Sequence, residues 1–392
     1  MTTATVEGTG PTPFRESIVA KYLRRGVPRR DLGILPLVLV LPFAYVPKIL
    51  EGDTQPWVLI ASLFALVTFR TDTLVRRDDY PLFGLGVLCA TVYALRSPLD
   101  LGLLRQIYTQ AAFLILWIIT GRERGDYFPG AVKLTIVIWF VVGIVQWTFV
   151  RLGIPIDFAG RFVEGRGGIP SLTPEASYYG SLSVLQMMYL MSRRRAENAP
   201  FVVMAGLSVL LSGSVLAILL LIFPLTKLGW RMGALAVLLA AVALTAEYAF
   251  GLGGIEQTLG RFDVQESLLN VFSDPSLNLR VGHIFFTLYE HVWDSLTFAT
   301  SIDFMNQYNS FARRGGLFID TGSNFILPAA GELVYSSGVF GLVLIYAVIR
   351  RSLAASVSRS AKIEKLMLIL VCLLNPIPLS NPFLVMYAQK DS

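Results

Sequence analysis

Apolar residues gather in long, weakly interrupted runs near positions 32–50, 57–69, 80–95, 106–121, 132–150, 175–192, 199–226, 232–250, 323–349 and 366–388. Charged or Gly/Pro-rich segments punctuate them. Runs of this length predict helices of bilayer-spanning size, about 20 residues each. The run 199–226 is the exception, since one straight helix there would be about 42 Å long against a hydrocarbon core of about 30 Å. It is expected to break at Leu211-Ser-Gly-Ser-Val215. Pro376, Pro378 and Pro382 interrupt the final run in the same way.

The pattern of basic residues orients these runs. Lys21, Arg24, Arg25, Arg29 and Arg30 precede the first; Arg70, Arg76 and Arg77 follow the second; Arg122 and Arg124 follow the fourth; Arg193 to Arg195 follow the sixth; Lys227, Arg231 and the 350–365 segment continue the series. Every alternate loop is basic, which predicts that these loops are cytoplasmic. The expected architecture is therefore an all-α polytopic membrane protein of about 11 (10–12) transmembrane helices. A cytoplasmic tail covers 1–31, and a single transmembrane domain covers 32–388 with periplasmic loops at 151–174 and 251–322. The first helix serves as its own address, with no cleaved secretory signal expected.

Composition fits this reading: 54% of residues are hydrophobic and 15% charged, below the roughly 25% charged content of an ordinary soluble domain. The net charge of +6 comes largely from cytoplasmic flanks, so no nucleic-acid partner is expected. Cys89 and Cys372 fall inside apolar runs, where a thiol packs well and no disulfide is implied. No residue spacing suggests a metal cage, and no nucleotide-binding loop stands in a credible context. No cofactor is expected.

Two loops carry the candidate chemistry. Arg161-Phe-Val-Glu-Gly-Arg166-Gly-Gly-Ile-Pro-Ser-Leu-Thr-Pro-Glu175 sets two arginines and a carboxylate at the mouth of the sixth run. Glu175 also reads as a simple first-turn carboxylate after Pro174, favoured by the helix dipole. The 251–322 loop holds Arg261, Arg280, Arg313, Arg314, His283, His291, Glu290, Asp294 and Asp320. Phe285, Leu288, Val292 and Leu296 recur there at three- and four-residue spacing, predicting an amphipathic helix on the membrane surface or across the bundle mouth.

These segments, in this order, resemble the O-antigen polymerase and O-antigen ligase superfamily of bacterial envelope enzymes. Arg166-Gly-Gly-Ile-Pro-Ser-Leu-Thr-Pro-Glu175-Ala-Ser is similar to the family's external loop closing at a helix start, and Val209–Leu219 to its bent segment. Asn278-Leu-Arg280 resembles the arginine opening the large periplasmic helix. Ser323-Asn324-Phe-Ile-Leu327, then Glu332 and Gly338-Val-Phe-Gly341, resemble the closing motifs. The matches cover roughly 130–350. Val215 stands where the family commonly has arginine and Ser323 where ligases typically have histidine, which favours a Wzy-type polymerase over a lipid A ligase.

The resemblance implies a metal-independent membrane glycosyltransferase of the GT-C class in the bacterial inner membrane, extending undecaprenyl-pyrophosphate-linked oligosaccharides of an O-antigen, capsule or exopolysaccharide. Membrane lipids surround it, and a chain-length regulator and a flippase are the implied protein partners. In that chemistry arginines steady the pyrophosphate leaving group and a carboxylate takes the acceptor proton. Glu175 and Arg280 are the expected catalytic pair. Arg161, Arg166, Arg313, Arg314, Asp320, Asn324, Glu332 and His283 are the expected substrate-binding groups, with Asp320 and Glu332 as reserve bases. A ligase, a lipid-linked oligosaccharide flippase and a non-enzymatic assembly partner remain as other readings.

Overall fold

A computed structural model describes residues 57–68, 77–96, 101–120, 127–154, 168–173, 176–193, 196–227, 275–297, 304–316, 318–322, 326, 328–375 and 377–389. The described residues are helical, with no strand among them. In chain order the helices are α1 (Trp57–Thr68), α2 (Tyr80–Arg96), α3 (Leu101–Thr120), α4 (Tyr127–Arg151), α5 (Ala176–Met191), α6 (Ala199–Ser212), α7 (Val215–Leu220) and α8 (Ile222–Lys227). Then follow α9 (Pro275–Glu290), α10 (Asp294–Thr297), α11 (Phe304–Gly315), α12 (Ala329–Ser337), α13 (Val339–Ala354), α14 (Arg359–Leu374) and α15 (Pro382–Gln389). Among the described residues one segment, Pro129–Arg151 of α4, is long and apolar enough to span a membrane; Trp57–Val67, Gln106–Thr120 and Ala196–Ser212 are shorter apolar stretches. The predicted runs at 32–50 and 232–250 lie outside the described residues.

Helices break where the sequence supplies a reason. The long run 199–226 divides at Gly213, which adopts a left-handed conformation (φ 57°) and donates its N–H to Leu210 O at 3.0 Å. A second interruption at Leu221 makes three helices of that run where two were expected. The run 366–388 opens between Asn375 and Asn381, as its prolines require, and Asn381 Oδ1 accepts the N–H groups of Phe383 and Leu384 to start α15. The run 323–349 also splits, at Gly338 between α12 and α13. Gly338 has φ 57°, and a Cβ there would meet the Ser295 side chain and Val292 O. Only glycine permits both that backbone and that approach.

α5 is the core of the bundle: Tyr178 through Leu190 are all buried. The bundle has two chemically different ends. At one, Arg351 pairs with Asp79 at 2.9 Å, Lys133 with Glu197 at 3.1 Å, and Tyr387 donates to Glu364 at 2.8 Å. These groups border the basic loops. The other end is built from helix breaks and turns. Ile169 N–H donates to Leu211 O at 3.2 Å, Ser171 Oγ to Trp139 O at 2.8 Å, and the Trp139 ring meets Phe383 edge-on at 6.2 Å. The 168–173 segment thus sits on the α6–α7 break and against α4, whose Trp139 meets the start of α15.

One predicted element is corrected. The helix expected through Phe285, Leu288, Val292 and Leu296 stops at Glu290, and α10 begins at Asp294. Phe285, Leu288 and Leu296 are exposed, while α9 buries Asn278, His283, Phe286 and Thr287. Its outward face is the apolar one. The amphipathic helix with a conventional inward apolar face is α11, where Phe304, Tyr308 and Ala312 are buried at four-residue spacing.

Candidate functional site

The candidate site is assembled around α12. After Pro328, the Ala329 N–H donates to Asn375 O at 3.0 Å, so the break before α15 satisfies the first orphan donor of α12. Glu332 lies in the first turn of α12, where a carboxylate is favoured by the helix dipole. It accepts a hydrogen bond from Gln106 Nε2 on α3. Beside it lies a cavity of about 30 Å³ lined by Gln106, Thr109, Gln110, Glu332 and the apolar Leu333 and Leu379. Gln110 is 7% exposed, and its Oε1 has no hydrogen-bond partner among the described residues.

α9 packs against the same helix. Gly331 allows the approach, since a Cβ there would lie 3.6 Å from Thr287 Oγ1 and 3.7 Å from His283 O. One step further along, the rings of His291 and Tyr335 meet at 4.8 Å, so α9 and α12 run in the same direction. Arg280 is the sixth residue of α9 and does not open it. It shares a face with His283 and Thr287 at three- and seven-residue spacing, and that face meets α12.

His283 is buried between Phe304 (4.9 Å) and Tyr308 (4.5 Å), edge-on to both. Burial pushes its pKa down to about 4, so at neutral pH the ring carries no charge to offer a phosphate. Arg313, Arg314 and Asp320 do meet partners, on the surface. Arg313 donates through Nε and Nη2 to Asp320 Oδ2 at 2.9 and 2.6 Å, and Arg314 donates to Glu290 at 2.8 Å. The hydrogen bond to Asp320 and its charge raise the Arg313 pKa. The 318–322 segment is held next to them: Ile319 N–H donates to Asn278 Oδ1 at 2.9 Å, and Asn309 exchanges two hydrogen bonds with Thr321. Glu175, Arg161, Arg166 and Asn324 lie outside the described residues. Among the described residues no three His, Cys, Asp or Glu side chains are grouped to hold a metal ion.

One group escaped sequence reasoning. Arg96, the last residue of α2, has no exposed side chain. It donates to Tyr335 O and Ser336 O at 3.2 Å each and faces Asp294 Oδ2 at 3.4 Å. His291 Nδ1 lies 2.7 Å from the same carboxylate oxygen. The two carbonyls belong to the last turn of α12, which Gly338 ends, so Arg96 serves orphan acceptors at a helix C-terminus. The available signal was an arginine at the end of an apolar run followed by Ser97-Pro98; it reads as loop punctuation unless α12 is known to end beside it.

The arrangement offers a carboxylate, amides and hydroxyls in a small recess, with an arginine-bearing helix alongside and a buried arginine fixing the far end of the carboxylate's helix. Comparison with protein families, curated proteins and solved structures finds no match to this chain.

Proposed function

We propose that this chain is a polytopic membrane glycosyltransferase that extends lipid-pyrophosphate-linked oligosaccharide repeat units. The observation that carries the reading is Glu332, a carboxylate on the mostly buried α12, set in a polar recess beside α9, whose Arg280 lies on the α12 side. An ionisable group in an apolar run is costly to keep there, which points to use rather than accident.

Membrane insertion is supported by the outward faces of the helices. Ile60, Leu63, Phe64 and Val67 on α1, Val141, Ile144 and Val145 on α4, and Ile363, Met367, Leu370 and Leu374 on α14 are exposed. Apolar faces of that extent suit lipid. The end bearing Arg351, Lys133 and Arg193 then takes the cytoplasmic side, and the end with the 168–173 turn and α12's first turn takes the periplasmic side.

In this reaction an acceptor hydroxyl attacks the anomeric carbon of the donor sugar, and the bond from that carbon to the pyrophosphate oxygen breaks. The hydroxyl proton passes to a carboxylate, Glu332 or Glu175. Arg280 meets the developing pyrophosphate charge with a planar fork of donors.

The test is a chain-length profile. In cells whose own copy carries Arg280→Ala, surface polysaccharide should shrink to single repeat units, a loss of extension of about 100-fold or more. Arg280→Lys should recover only part, because an ammonium keeps charge without the fork. Lipid-linked units accumulating unflipped on the cytoplasmic side would overturn the polymerase reading and favour a transporter.

A further inference from the structure

The geometry points to the recess between α3 and α12 as the pocket for the acceptor hydroxyl, with Glu332 taking its proton and the Gln110 amide holding its oxygen-bound hydrogen in line. The inference rests on the glycosyl-transfer reading above.

Three observations converge on it. First, size: about 30 Å³ accommodates one or two waters or a single hydroxyl group; no sugar ring fits. A pocket of these dimensions selects a protruding O–H. Second, chemistry: Glu332 already accepts from Gln106, which orients the carboxylate, and Gln110 Oε1 is a buried acceptor with no partner among the described residues. A buried orphan acceptor costs about 1–3 kcal/mol. A bound O–H group removes that cost by donating to it. Third, periodicity: Gln106, Thr109 and Gln110 occupy adjacent turns of one face of α3, so the three polar side chains line a single wall opposite Leu333 and Leu379.

On substrate binding the acceptor hydroxyl enters this recess, sharing its hydrogen between Gln110 Oε1 and the Glu332 carboxylate. As the new bond from acceptor oxygen to anomeric carbon forms, the proton moves to Glu332. The electron pair of the breaking carbon–oxygen bond leaves with the pyrophosphate. Gln110 is a positioning residue and Glu332 the proton acceptor.

The decisive variant is Gln110→Met, which keeps volume and removes the amide. The protein is reconstituted in liposomes with saturating preformed lipid-linked polymer as donor and varied lipid-linked single repeat units, extracted from the source cells, as acceptor. The KM for the repeat unit should rise ~3- to 10-fold, the value of one neutral hydrogen bond, with kcat changed less than twofold. The melting temperature should hold or rise, because an orphan acceptor has been replaced by apolar surface. A purely structural glutamine would give the opposite pair, a lower melting temperature and an unchanged KM.

A parental KM in active Gln110→Met overturns the pocket and leaves the glycosyl-transfer reading standing. Failure of the parent protein to extend any unit overturns that reading, and the pocket with it. If Gln110→Met does not fold, Gln110→Asn decides: an intermediate KM supports the pocket, and a parental one overturns it.

Discussion

Two sets of arginines meet carboxylates at the same end of this molecule, and they differ in nearly every physical respect. Arg313 and Asp320 have side chains 72% and 43% exposed, and Arg314 with Glu290 is similar at 65% and 31%. Arg96 is wholly buried, with Asp294 24% exposed. The exposed pairs have the shorter distances, 2.6 and 2.8 Å against 3.4 Å. Distance is a poor guide to what each is worth. Water screens the outer pairs and competes for their hydrogen bonds, so they contribute little to stability. Arg96 has no water to fall back on, and it also serves two main-chain carbonyls of α12. It joins α2, α12 and the α9–α10 corner through one guanidinium.

The largest expected effect therefore comes from Arg96→Ala. Removing it takes a buried donor from the Tyr335 and Ser336 carbonyls and a cation from Asp294. Loss of a buried ion-pair partner costs about 3–5 kcal/mol, and the partial exposure of Asp294 places this case toward the lower figure. Thermal unfolding of the detergent-solubilised protein should show a clear fall in melting temperature. Arg96→Lys should recover little, since one ammonium cannot span two carbonyls and a carboxylate in the same plane. An Arg96→Ala protein that melts with the parent would erase the contrast.

The difference between the pairs explains what the sequence could convey. Local chain chemistry was legible: the break within Leu211–Val215 falls at Gly213, in the Ser-Gly-Ser interruption of an overlong apolar run, and the interruption near Pro376–Pro382 follows from missing N–H donors. The helical character of the chain was legible too, from run length and composition. Long-range pairing was not. Arg96 and Asp294 are 198 positions apart, and no periodicity links them. The extent of α9 was less legible: Phe285 and Leu288 have helical spacing with Val292 and Leu296, yet the helix ends at Glu290 and a new one begins at Asp294. Glu332 could be singled out as an acid within an apolar run, but its partner Gln106 and the Gln110 that lines the same recess sit over 220 residues earlier, within a segment that reads only as another helix.

Acid should sharpen the comparison through a buried group, His283. His283 has an ordinary pKa of 6.5 and is held down to about 4 by burial between Phe304 and Tyr308. Between those values the unfolded chain binds a proton that the folded chain does not, so stability falls as pH drops from 6.5 toward 4 and is fully retained above 6.5. A gap of this size corresponds to about 3 kcal/mol at the acid limit. Melting curves from pH 7.5 to 4 should show the loss, and His283→Phe should flatten the acid limb while keeping the aromatic packing. Equal acid sensitivity in His283→Phe would assign it to other groups.

The smallest effect belongs to Arg313→Ala. Its contacts with Asp320 are short and raise its pKa, yet its side chain is 72% exposed to solvent. The segment beside it is fixed by other bonds: Thr321 to Asn309 in both directions, and Ile319 to Asn278. Those hydrogen bonds are partly shielded from water, so 318–322 keeps its place without the arginine. The melting temperature of Arg313→Ala should match the parent at physiological salt and remain matched when salt is raised, because there is no unscreened attraction left to remove. Repeating the comparison in low-salt buffer is the stringent version, since screening is weakest there. If Arg313→Ala melts as far below the parent as Arg96→Ala does, burial is not what separates the two pairs, and the ranking of arginines by exposure falls.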